Sequence, residues 1–214
     1  MSTIFELKDT CFICGTETEF MVLGSSNSFG SPDLDTRPAP MIRDTMSLWL
    51  RECPCCGYVA GSVANPTVVS RQWLQEAYYT TCNGRKLWDT AALFYKHYLI
   101  SLEEDKTDAA FNAALQAAWL CDDMGDEENA IHCRNCALTE LEKLLAKQDD
   151  QEELLAIRAD ILRRTGQFEK LIAEFTDRTF ENERIGQIIA FQLLKAQQKD
   201  TDCYRVEDAT GGLQ

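Results

Sequence analysis

Beyond residue 64, apolar side chains recur every three to four positions, whereas before it they come in short runs broken by turn residues. The spacing predicts a succession of amphipathic helices behind a small β-rich leader. Asn65 is a good N-cap and Pro66 suits a first helical turn, so a helix is expected from there, with Val69, Trp73, Ala77 and Tyr78 on one face. The next apolar stripes are Leu87, Ala91, Phe94, Tyr95, Tyr98 and Leu102, then Phe111, Ala114, Leu115, Ala118 and Trp119 in a helix over 107–124. Ala130, Cys133, Ala137, Leu141 and Leu144 mark a fourth helix from about Glu127, and Leu154, Leu155, Ile157, Ile161 and Leu162 a fifth. Two more are expected over 168–175 and 183–197, the latter carrying Ile185, Ile188, Ile189, Leu193 and Ala196. In the leader, 19–23, 47–52 and 58–64 read as short strands.

Gly125 and Gly166 each end a helix and begin similar turns, Ala118-Trp119-Leu120 preceding one and Ala159 to Leu162 the other. The pattern is that of a tetratricopeptide-like array of antiparallel helical hairpins, although its 41-residue offset exceeds the ~34 of that repeat. An irregular helical bundle using the same stripes is the alternative.

Two cysteine hooks dominate the leader: Cys11-Phe-Ile-Cys14-Gly15 and Cys53-Pro-Cys-Cys56-Gly57. Two residues between ligands let both sulfurs of a hook face one ion, and the glycine that follows permits a tight turn at positive φ. Neither hook fills a tetrahedral shell alone, so Cys11, Cys14, Cys53 and Cys56 are expected to hold one structural Zn2+. The extra Cys55 breaks the two-residue spacing and should point away. Four thiolates leave no open position for water or substrate, which speaks against a zinc hydrolase. A redox CxxC would stand beside a βαβ pattern that is missing here.

Charge narrows the partners. The chain has 21 basic and 35 acidic side chains. Residues 1–70 contain only Lys8, Arg37, Arg43 and Arg51 against eight carboxylates, and a metal held by four thiolates adds about two negative charges more, so nucleic acid is a poor partner. From residue 71 onward, 17 basic against 27 acidic residues suit a protein partner with a basic or amphipathic segment. No apolar run approaches the ~18 residues of a membrane span, and no export leader opens the chain, so a cytoplasmic protein with reduced thiols is expected.

Other candidates resolve into packing. His97 and His132 lie in helical sequence, as do Cys133 and Cys136, whose CxxC lacks the following glycine; Cys82 and Cys203 stand alone. The loop 24–40 is rich in Gly, Pro, Asn and Asp, and its Asp33, Asp35 and Arg37 either close it on itself through an ion pair or present a recognition surface, self-closure being favoured. The organisation expected is a zinc ribbon with a long inserted loop over 1–64, a helical domain over 65–199 and a flexible acidic tail over 200–214.

The two hooks, the stretch from Asn27 to Pro38 and the run Glu52-Cys-Pro-Cys-Cys-Gly-Tyr-Val-Ala60 together resemble an uncharacterised family of bacterial proteins, in which an N-terminal zinc ribbon precedes tetratricopeptide-like helices. The resemblance implies zinc at the four hook cysteines and no established reaction. With no nucleophile elbow, phosphate-binding glycine loop, HExxH helix or dinucleotide fingerprint in the chain, the expectation is a non-catalytic adaptor or scaffold. The alternative is a redox or zinc-responsive switch started at Cys55, with Arg51 favouring its thiolate.

Overall fold

The computed structural model describes residues 1–147 and 151–211. The chain is mainly helical with a small N-terminal β region, the fold class its periodicity predicts. It divides into two compact units. The first comprises Met1–Ser28 and Pro40–Glu140; the second comprises Phe29–Ala39 and the residues from Leu141 onward.

In the first unit, β1 (Thr3–Thr10) pairs antiparallel with β2 (Glu17–Ser25), and the much shorter β3 (Arg51–Glu52) pairs with β4 (Val59–Ala60). Strand β1 was not anticipated, although Phe5 and Leu7 alternate with Glu6 and Lys8. The expected strand over 47–52 is confined to its last two residues. A 3-10 helix over Arg43–Leu48 replaces the rest, held by Thr45, which donates to Ile42 O at 2.7 Å and accepts from Trp49 Nε1 at 3.0 Å.

The helix expected from Pro66 does not form there. Thr67 and Ser70 capture the Val69 and Trp73 N–H groups with their hydroxyls, and helical structure begins only with a 3-10 turn at Trp73–Gln75 and the short α1 (Ala77–Thr80). Side-chain competition for backbone donors in a β-branched run explains the delay. Next come α2 (Asp89–Glu103), α3 (Thr107–Asp123) and α4 (Glu127–Leu145). Helix α3 buries Ala110, Ala113, Ala114, Ala117 and Ala118, small side chains that let α2 approach closely along its length. Phe94, Leu99, Ile100 and Leu115 are buried as well, Phe94 meeting the Trp49 ring edge-on at 6.4 Å.

The second unit is built around α5 (Glu152–Arg164), with α6 (Phe168–Phe175) and α7 (Glu183–Gln197) packed against it. Every residue of α5 from Leu155 to Arg163 is buried, so this helix is enclosed all round and its charged residues need internal partners. They have them. Arg158 donates to Glu174 at 2.7 Å and Glu142 at 3.0 Å. Arg163, fully buried, donates to Asp160 at 2.9 Å, to Gln192 Oε1 and to the Asp200 carbonyl at 2.9 Å, and it lies over the Tyr204 ring.

The chain from 200 to 211 differs from the flexible tail read in the sequence. Tyr204 and Lys195 converge on Asp200, and Val206–Thr210 forms α8, whose Asp208 carboxylate accepts from the Arg205 N–H. Residues 212–214 of the tail lie outside the described residues. The inserted loop closes on itself through Asp33 N–H to Arg37 O and Thr36 N–H to Asp33 O, both at 2.9 Å, and its Asp33, Leu34, Asp35, Arg37 and Ala39 are buried. Asp35 pairs with Arg164 at 3.3 Å, while Leu34 N–H bonds Tyr204 O and Val206 N–H bonds Pro32 O. Among the described residues no helix is long and apolar enough to cross a membrane.

Arg163→Ala strands Asp160 and Gln192 in the interior without the guanidinium. It is expected to lower the unfolding free energy by about 3–5 kcal/mol, read as a fall in the denaturant midpoint. An unchanged midpoint would show that the network contributes nothing net.

Candidate metal centre

The two hooks are the tips of the two hairpins. In the first, Thr10 pairs with Glu17; in the second, Glu52 pairs with Val59, the same seven-residue interval. Each tip is then closed by the same pair of backbone bonds. Cys11 N–H donates to Thr16 O at 2.9 Å and Cys53 N–H to Tyr58 O at 2.8 Å, while Gly15 N–H returns to Cys11 O at 2.8 Å and Gly57 N–H to Cys53 O at 2.9 Å. Gly15 and Gly57 take φ of 71° and 76°, a conformation that strains any residue with a side chain. The sequence repeat Cys-x-x-Cys-Gly is therefore a repeat of backbone shape.

This shape brings the four sulfurs together. The Sγ atoms of Cys11, Cys14, Cys53 and Cys56 all lie within 4.8 Å of one another, with Cys11 3.6 Å from Cys56 and Cys14 3.5 Å from Cys53. All ten cysteines of the chain are free thiols. Metal–sulfur bonds of about 2.3 Å in a tetrahedron set sulfur–sulfur edges of about 3.8 Å, so the cluster has the dimensions of a four-thiolate metal site. Among the described residues it is the one group of His, Cys, Asp or Glu close enough to hold an ion.

Proton chemistry points the same way. The Thr16 hydroxyl, 3.3 Å from Cys14 Sγ, and the Thr16 N–H bring the Cys14 thiol down to about 6. Burial pushes Cys53 and Cys56 up, against backbone N–H groups of Cys55, Cys56 and Tyr58 that favour their thiolates. Four crowded sulfurs cannot all ionise beside one another without a cation, whereas backbone donors already aimed at them suit the charged form.

Surrounding contacts fix the two tips in place. Asp9, on the strand entering the first tip, accepts from Arg51 on the strand entering the second at 2.5 Å and from Ser62 at 2.7 Å. Phe12 N–H donates to Val63 O, and Tyr79 donates to Gly57 O at the second tip. Lys96, on α2, reaches Glu52 at 2.5 Å. Such outer contacts orient ligands as much as the ligands orient the ion. Asp9, Ser62 and Tyr79 carry no motif, and only the completed fold reveals them.

Cys55 is exposed, and its sulfur lies 3.8 Å from Arg71 Nη2, outside the cluster. Arg51, the cation that sequence proximity suggested for it, is occupied by Asp9. His97 is enclosed and burial lowers its proton affinity; His132 is half-buried, with Nε2 3.0 Å from Tyr95 OH and 3.5 Å from Cys136 Sγ. Cys133 is buried in α4, its thiol pushed up by the Cys121 sulfur and by burial. Neither histidine belongs to a metal-sized group among the described residues.

Serine at Cys11, Cys14, Cys53 or Cys56 is expected to drop bound metal below one ion per chain in elemental analysis of reduced protein, with Cys55→Ser unchanged. Each coordinating sulfur must shed its proton, so metal affinity falls as pH falls, and a chelator should strip the ion faster in acid than at neutral pH. Equal retention by the Cys14→Ser and Cys55→Ser variants would contradict the ligand set.

No protein-family model, no curated protein and no solved structure matches this chain.

Proposed function

We propose that this chain is a non-catalytic adaptor or scaffold of the cytoplasm, whose N-terminal ribbon is held by one structural zinc ion on Cys11, Cys14, Cys53 and Cys56. A donor set of four thiolates in a tetrahedron is the shell zinc prefers, and it leaves the ion no site for substrate. The resemblance of the two hooks to a bacterial zinc-ribbon family supports the same metal.

The observation that carries the interaction role is the β1–β2 hairpin growing out of the first tip. Its side chains Ile4, Phe5, Leu7 and Met21 are 38–50 % exposed, and Phe12 at the tip is 53 % exposed. The strand register sets Ile4 and Met21 on one face of the ribbon and Phe5 and Leu7 on the other, so each face offers exposed apolar side chains to a partner. Glu6, Glu17 and Glu19 stand among them, Lys8 pairing with the latter two at 3.7 and 3.2 Å, and the net negative charge that remains favours a partner with a basic or amphipathic segment. The helices behind are read as a tetratricopeptide-like array, a scaffold that presents extended surfaces.

A photo-reactive residue at Phe5 or Met21 is expected to trap a discrete protein partner in cells, and Phe5→Ser with Met21→Ser to lower recovery of that partner by about tenfold while zinc content stays at one per chain. Failure to trap any partner at either position would remove the adaptor reading.

One contact favours a second reading, a thiol switch. Exposed Cys55 beside Arg71 is placed for oxidation: peroxide would convert the thiol to a sulfenic acid, a ligand sulfur would displace water from it to form a disulfide, and zinc would leave. Under that reading, mild peroxide releases zinc to a chromogenic chelator several-fold more slowly from Cys55→Ser than from wild type. Identical release rates would eliminate it.

A further inference from the structure

We propose that a cavity in the first unit, beside the start of α2, binds a small molecule carrying a phosphate group on a compact apolar body. It is a shallow depression, largely open to solvent, of about 580 Å³, wide enough to seat a metabolite-sized ligand on its floor. Arg85, Lys86 and Lys96 line it, with Cys82, Leu87 and Ala92 supplying apolar wall. No carboxylate lines it, in a chain where acidic side chains outnumber basic ones 35 to 21. Glu52 and Glu128, outside the lining, offset part of the charge of Lys96 and Arg85, and the positive charge that remains, Lys86 above all, favours an anion there.

The three cations are prepared to different degrees. Lys96 is held by Glu52 at 2.5 Å and lies 5.6 Å from the centre of the Tyr79 ring, its side chain only 18 % exposed. Arg85 gives one N–H to Asn129 Oδ1 at 3.0 Å and stands 3.7 Å from Glu128, whose own side chain is 89 % exposed and well hydrated. Lys86 makes no ion pair among the described residues. Two charges are thus positioned in advance, and the third is free to close on a ligand. Positioned donors lose less conformational freedom when they bind, which favours recognition of an oxyanion at this place over general attraction to it.

The backbone is shaped to match. Cys82, Asn83 and Gly84 run consecutively through the left-handed region at φ 48°, 55° and 77°, a conformation that costs a cysteine about 1–2 kcal/mol. Gly84 N–H to Thr81 Oγ1 at 3.0 Å and Arg85 N–H to Thr81 O at 3.1 Å hold this turn. It delivers Arg85 and Lys86 to the cavity rim just before α2. That helix begins at Asp89, whose carboxylate offsets the partial positive charge of its first turn, so the helix end adds little to the field. The hydroxyls of Thr80 and Thr81 already donate to Glu76 O and Ala77 O, which leaves the cations as the source of binding.

The test is a titration of zinc-loaded, 15N-labelled full-length protein with phenyl phosphate, inorganic phosphate and chloride at matched ionic strength. Phenyl phosphate is expected to give saturable shifts confined to amides of residues 80–96, with higher affinity than inorganic phosphate and none from chloride. Lys86→Ala, which breaks no ion pair among the described residues, should weaken binding by about tenfold, the loss of one charge-assisted bond, with an unchanged circular dichroism spectrum. Non-saturating shifts, equal effects of chloride, or full affinity in Lys86→Ala would each overturn the site. Inorganic phosphate binding as tightly as the ester would overturn the apolar part of the ligand.

Discussion

Two hairpin tips of identical backbone shape meet so that four sulfurs share one small volume, and the first unit's β region depends on that meeting. Strands β3 and β4 have two residues each, far too few to persist as an isolated pair. What they lack in ladder they gain from Cys53 and Cys56 lying against Cys11 and Cys14, and from Asp9 bridging to Arg51. Such crowding is unfavourable for bare thiolates and would become favourable around a metal ion, so an ion held there would stabilise the ribbon as it bound.

The second unit solves a different problem. Helix α5 is enclosed on all sides, yet it carries Arg158, Asp160 and Arg163. Replacing them by apolar residues of similar size would be tolerated in many proteins. Here their partners come from Glu142, Glu174, Gln192 and Asp200, which lie on or beside different helices, so the charges fix which elements meet and in what register. A purely apolar helix would pack against the same neighbours with less selectivity.

Helices α2 to α4, α6 and α7 were legible in the sequence because three- and four-residue periodicity survives wherever one face is buried, and α5, enclosed all round, through its apolar residues and the Gly166 turn after it. The four sulfurs were legible because ligand spacing and the following glycine are local. What escaped the sequence depended on partners far along the chain. Strand β1 has an alternating pattern too short and too exposed to stand out, and its partner begins seven residues later. The helix expected at Pro66 yielded to two hydroxyls, Thr67 and Ser70, whose competing bonds leave no periodic trace. Tyr204 and Asp35 read as tail and loop residues, since nothing near them in sequence announces Arg163 and Arg164, which engage them.

The inserted stretch Phe29–Ala39 has an implication for synthesis. It sits between the two cysteine hooks in the chain, yet it belongs with residues beyond 140. During translation the amino-terminal hooks emerge early, while Asp33, Asp35 and Arg37 wait in water until α5 and the Tyr204 segment have left the ribosome. Neither unit corresponds to one uninterrupted stretch of the gene. Any attempt to express half of this molecule must therefore carry the short inserted stretch along with the carboxy-terminal helices, or leave their buried arginine without its aspartate.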